Sequence, residues 1–141
     1  MVRSFALIFG IVYLLVGIMG FIPAFVSPPQ GPDLAVDAGH GRLLGIFPIN
    51  VVHNIVHLLV GLWGIAGSRS FSGAIGFARG LAIVYGLLTI MGLIPGLNTM
   101  FGLAPLHGND VWLHLISALL AAYFGWGPPA REDANRTSAT R

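Results

Sequence analysis

Hydrophobic residues in this chain come in long unbroken runs, separated by short breaks rich in Gly, Pro and Arg. Four runs, at residues 5–26, 47–66, 71–94 and about 111–126, approach or reach the roughly 20 apolar residues a helix needs to cross about 30 Å of hydrocarbon. The last is short and reaches full length only by starting near Asn109. The runs also repeat. Residues 11–23 read IVYLLVGIMGFIP and residues 83–95 read IVYGLLTIMGLIP, identical at nine of thirteen positions. A weaker echo follows each copy: GIFPINVVHNIVHLL from Gly45 answers GLAPLHGNDVWLHLI from Gly102. The pattern predicts an all-α integral membrane four-helix bundle. Two tandem hairpins, at about 5–66 and 71–126, would build one membrane domain over residues 1–127.

Two spans per unit send both copies into the bilayer in the same direction. That is the parallel kind of repeat, with a pseudo-twofold axis along the membrane normal. Gly17 and Gly20, Gly61 and Gly64, and Gly76 with Gly80 would let helices approach closely. Pro23 and Pro95 are expected to close the first and third spans. Loop one, residues 27–46, carries Pro28, Pro29, Gly31, Pro32, Gly39 and Gly41 and is read as irregular. Residues 128–141 are polar and are read as a disordered tail.

Composition supports the bilayer. The chain is 55% hydrophobic and 9% charged, against about 25% charged in soluble domains, and its mean hydropathy is +0.83. The pI of 9.7 reflects seven scattered arginines and a net charge of only +2, with no basic cluster for nucleic acid. Absence of cysteine excludes disulfides, iron–sulfur clusters and thiolate metal sites. The first run follows Arg3 like a leader peptide, yet it is too long for one and recurs internally, so it is read as a retained span.

Arginine placement orients the chain. Arg3, Arg69, Arg79, Arg131, Arg136 and Arg141 fall on one side, and only Arg42 falls on the other, in a loop with Asp33 and Asp37. The positive-inside rule then places both termini in the cytoplasm of a bacterial inner membrane. Trp112 and Trp126 bracket the fourth span as interfacial anchors.

All five histidines fall on the predicted outer side. Asn50, His53, Asn54 and His57 are spaced to share one face of the second helix, and His107, Asp110 and His114 mark the fourth. The repeat equates Asn50 with His107, His53 with Asp110, and His57 with His114. Ionisable groups inside a membrane usually face the bundle interior and mark a site. Counted from residue 47, His57 would lie about 15 Å deep.

Several chemistries suit this set. His53, His57, Asp110 and His114 would give three nitrogens and a carboxylate to zinc, copper or iron. Alternatively His57 and His114 would hold the iron of haem b from opposite sides, with Arg42 meeting the propionates. One histidine would suffice for a chlorophyll magnesium. Asn50, Asn54, His107 and Arg42 would stand around the ligands. Against these stands a structural reading, in which the polar groups hydrogen-bond one another and hold the helices in register. In that case the protein is a non-catalytic accessory or scaffold subunit of a larger membrane complex, or a homo-oligomer. Asp110 also suits the role of helix cap. Proton or ion conduction is a third reading, opposed by the absence of ionisable groups other than Arg69 and Arg79 towards the inner side. Histidine titration leaves room for pH sensing. Nucleophile elbows, phosphate loops and HExxH are absent, so no catalytic residue is assigned.

NVVHNIVHLLVGLWG, residues 50–64, and PLHGNDVWLHLISALL, residues 105–120, resemble a bacterial family of small four-span membrane proteins catalogued as a domain of unknown function. The resemblance rests on Asn-x-x-His-x-x-x-His in the second span and on GNDVWLH, with Asp110, Trp112 and His114, in the fourth. It covers residues 5–126 and implies fold and membrane residence, with no activity attached.

Overall fold

The structure is a computed structural model, described here for residues 1–29 and 39–139. Gly31, Pro32, Asp33, Asp37 and Arg141, which enter the reading of loop one and of charge, lie outside the described residues. The chain is mainly helical. Helices α1 (Val2–Met19), α2 (Val51–Gly67), α3 (Phe71–Leu93), α4 (Asn109–Trp126) and α5 (Pro128–Ala139) are joined by turns and three short strands: β1 (Val26–Ser27), β2 (Gly41–Leu43) and β3 (Phe47–Ile49).

The strands correct the reading of loop one as irregular. They form an antiparallel sheet in the order β1-β2-β3, pairing Val26 with Leu43 and Arg42 with Pro48. Leu44 and Gly45 turn the β2–β3 hairpin through left-handed φ values of 53° and 72°. Phe47, Pro48 and Ile49 read as the start of a span because they are apolar, but Pro48 has no N–H to give a helix. The helix starts only after Asn50, whose side chain accepts from the His53 N–H at 2.9 Å. α1 likewise ends seven residues short of its predicted limit, because Ile22 is held extended before Pro23. Ile94, before Pro95, closes α3 in the same conformation.

Residues 128–139 form α5, so the expected disordered tail is a helix over its described part. Ala130 is buried in the core, and Asp133 accepts from the N–H of Val2 at 2.8 Å and from the N-terminal ammonium at 2.7 Å. Polarity alone read this stretch as unstructured, whereas these contacts with the start of α1 fasten it.

α1 packs chiefly on α2 and α3 on α4. The first pair crosses at Gly10 and Gly61, where an added Cβ would come within 2.6 Å of the backbone of Ile65 and Leu14 respectively. Gly76, assigned to close packing from sequence, meets nothing within 4 Å. Phe5 stacks on Phe124 at 4.5 Å and joins Phe77 and Leu81 in the apolar centre. The helices α1 and α3, and the stretch Asn109–Arg136, are long and apolar enough to cross a membrane; α2, with 17 residues, is apolar but shorter. Their outward faces are apolar: Leu59, Leu62, Leu87 and Leu119 are each more than half exposed. The polar side chains lie inside.

Candidate functional site

Asn50, His53, Asn54, His57, Asp110, His114 and Ser117 are all buried. The face of α2 predicted to be polar therefore points into the bundle, where it meets α4. The two asparagines and the histidines then part company. Asn50 caps α2 and donates from Nδ2 to the carbonyl of Leu103 at 2.7 Å, and Asn54 donates to the carbonyl of Gly20 at 2.8 Å. These are ties to the neighbouring turn and to the end of α1.

His53, His57 and His114 converge. One ligand-capable ring nitrogen from each lies within 4.8 Å of the others. His53 Nε2 and His57 Nε2 are 3.2 Å apart. That separation suits an N–H···N hydrogen bond, and it equally suits two corners of a tetrahedron with metal–nitrogen bonds of about 2.0–2.1 Å. Asp110 stands beside this trio: Oδ1 is 3.8 Å from His53 Nε2 and Oδ2 is 3.5 Å from His114 Nδ1. Neither oxygen accepts a hydrogen bond among the described residues, nor does α4 show a side-chain cap, so the carboxylate is not acting as one. The carbonyl of Pro105 approaches the His53 ring without reaching full hydrogen-bond geometry.

His57 lies towards the end of the second turn of α2, about 9 Å along the helix from Val51, less than the roughly 15 Å that a helix counted from residue 47 implies. Neither His107 nor Arg42 lines the cavity at the cluster or belongs to the converging set of nitrogens. His107 precedes α4, and Arg42 lies in β2, where its carbonyl accepts from Ser27 Oγ at 3.4 Å.

Two tyrosines complete the surroundings, and sequence reasoning missed them. Tyr13 meets the edge of His57 at 5.4 Å between ring centres, and Tyr85 meets His114 at 4.8 Å. Tyr13 donates to Ser117 Oγ at 2.8 Å, and its ring meets that of Tyr85 edge-on at 5.4 Å between centres. The signal was present: both tyrosines are the third residue of the repeated IVY.

A cavity of about 110 Å³ lies against the three histidines and Tyr85. A larger open groove, about 600 Å³, lies at the other end of the bundle between Arg79, Trp126 and Arg131. The larger one is lined by no histidine or carboxylate.

Residues 3–127 match the family described as Domain of unknown function (DUF4383). The chain belongs to this family. The match takes in α1 to α4 and every histidine of the cluster, and it assigns the fold no activity. No curated protein and no solved structure matches the chain.

Proposed function

We propose that this is a membrane protein whose bundle holds one transition-metal ion, zinc, copper or iron, on His53, His57 and His114. The observation that carries the reading is the convergence of three buried imidazoles within 4.8 Å beside a carboxylate that accepts no hydrogen bond among the described residues. An ion drawing on these nitrogens would relieve the electrostatic disadvantage of the buried Asp110. The carbonyl beside His53 and the carboxylate beside His114 Nδ1 are the groups that metal-bound imidazoles use to fix their second nitrogen. Asp110 thus serves the ion through His114. The small cavity favours an ion over haem or a chlorin, since pockets for ligands of even drug size run from about 300 to 1,000 Å³.

The membrane setting rests on the inverted arrangement of apolar outside and polar inside. Arg3, Arg69, Arg79, Arg131 and Arg136 would mark the cytoplasmic end of a bacterial inner membrane protein. The duplicated hairpin is supported by paired burial: Phe5 and Phe77, Ala6 and Ala78, and Tyr13 and Tyr85 are equivalent in the repeat and buried alike. Left-handed residues recur at Leu44 and Gly45 and at Phe101 and Gly102, again equivalent.

Purification in detergent, an absorption spectrum and metal quantification test the reading. One equivalent of metal per chain is expected, lost in His57→Ala while the helical circular dichroism persists. A Soret band would replace the ion with haem. A metal-free, colourless protein that takes up no added zinc, copper or iron would leave the second reading. There the 3.2 Å imidazole contact and the asparagine ties hold the helices of an accessory subunit in register.

A further inference from the structure

The cavity against the histidine cluster is bounded by two kinds of surface. The three imidazoles and Tyr85 make one wall; Val56, Val84, Leu88, Met100, Ala104 and Leu106 make the other. Asp110 does not line it. Val56 and Val84 are also 37% and 47% exposed on the apolar flank of the molecule, so the cavity meets that flank between α2 and α3. The imidazoles on this wall are the side chains whose ring nitrogens converge within 4.8 Å and can ligate a metal ion. At about 110 Å³ the space is somewhat smaller than the roughly 150 Å³ apolar cavity that takes up benzene or xenon.

We propose that this cavity is a lateral binding site for small uncharged molecules, of the size of dioxygen or nitric oxide, which reach the histidine cluster from the bilayer between α2 and α3. The proposal rests on the metal reading only for what such a molecule would meet there. An ion on three imidazoles keeps a fourth tetrahedral position, and the cavity is the side on which the imidazoles are not backed by Asp110. The apolar wall offers an anion no counter-charge and a polar molecule no hydrogen bond. A small neutral molecule dissolves in the bilayer and passes such a wall freely.

Three probes separate the parts: xenon for the cavity, cobalt(II) for the ion and nitric oxide for both. Metal-free protein in nanodiscs is expected to take up xenon saturably, shifting the methyl resonances of Val56, Val84 and Leu88. Val84→Trp fills the space and should abolish those shifts while cobalt affinity stays within twofold. Val84→Phe serves the same purpose if the larger ring impairs folding. On the cobalt form, nitric oxide should alter the visible spectrum, with its apparent Kd raised at least tenfold in the filled variants. No saturable xenon binding to the wild type, or nitric oxide bound equally well by the filled variants, would overturn the proposal. Xenon uptake without cobalt binding would remove the metal and leave the cavity standing; cobalt binding without xenon uptake would do the reverse.

Discussion

Asp110 is 1% exposed, and its two oxygens accept no hydrogen bond among the described residues. A buried acceptor left without a partner costs about 1–3 kcal/mol. Replacing it with Asn, which keeps the shape and removes the charge, should therefore stabilise the metal-free protein, seen as a higher thermal midpoint in detergent. The same Asp110→Asn change should weaken metal binding by about 10- to 100-fold, the usual effect of losing an orienting carboxylate. The two effects have opposite signs, and titration calorimetry beside a melting curve reads both. A carboxylate that only braces the helices would give lower stability and unchanged metal uptake.

Between helices, the close approach of α1 and α2 depends on residues without side chains. Gly61→Ala would drive a methyl into the backbone of Leu14, and overpacking of this kind costs about 1–3 kcal/mol. Gly76→Ala meets open space and should be neutral or stabilising by up to about 1 kcal/mol, since Ala is the better helix former. Thermal melts of the two variants should move in opposite directions or differ in size. Small size alone had grouped Gly61 and Gly76 as equals, because a glycine looks the same in sequence whether its helix faces a neighbour or lipid.

The contact of α5 with α1 carries its own pH dependence. Burial alone would raise the Asp133 carboxyl, but hydrogen bonds from the N-terminal ammonium and the Val2 N–H outweigh it, with Arg136 adding attraction, and the net shift is downward. A carboxylate with a depressed folded value stabilises above its unfolded value of about 3.9 and loses that contribution as pH falls through the folded one. Protection of the Val2 amide, taken relative to its intrinsic exchange rate, should fall at pH below about 4, and Asp133→Ala should show the lower protection already at neutral pH. An amide equally protected in Asp133→Ala would mean that α5 is held by Ala130 and the apolar contacts alone.

For the whole molecule, the proposed orientation places α5 with Arg3, Arg69, Arg79, Arg131 and Arg136 in the cytoplasm, and the β-sheet with Arg42 outside. The chain has no cysteine, so single introduced thiols report cleanly. In intact cells a membrane-impermeant maleimide should label Leu103→Cys, exposed in the turn before α4, and should reach Ser138→Cys only after permeabilisation. The reverse pattern would invert the topology and place the histidines near the inner surface.

The helices and their outward faces were legible because hydropathy, proline and caps act over one or two turns of chain. The convergence of α2 with α4 was also within reach, since the repeat equates His57 with His114 and burial forces polar faces inward. What only the tertiary structure decided is which atoms meet. Each residue turns a helix by about 100° and advances it 1.5 Å, so a small change in rotation or depth decides whether His53 faces Asp110 or Asn54 faces the cluster. Packing sent both asparagines to backbone carbonyls, brought three imidazoles together, and set Tyr13 and Tyr85 against them. The sheet and α5 escaped local reading for the same reason: strand pairing and the bond of Asp133 to Val2 join residues far apart in sequence, and no local pattern encodes their distance in space.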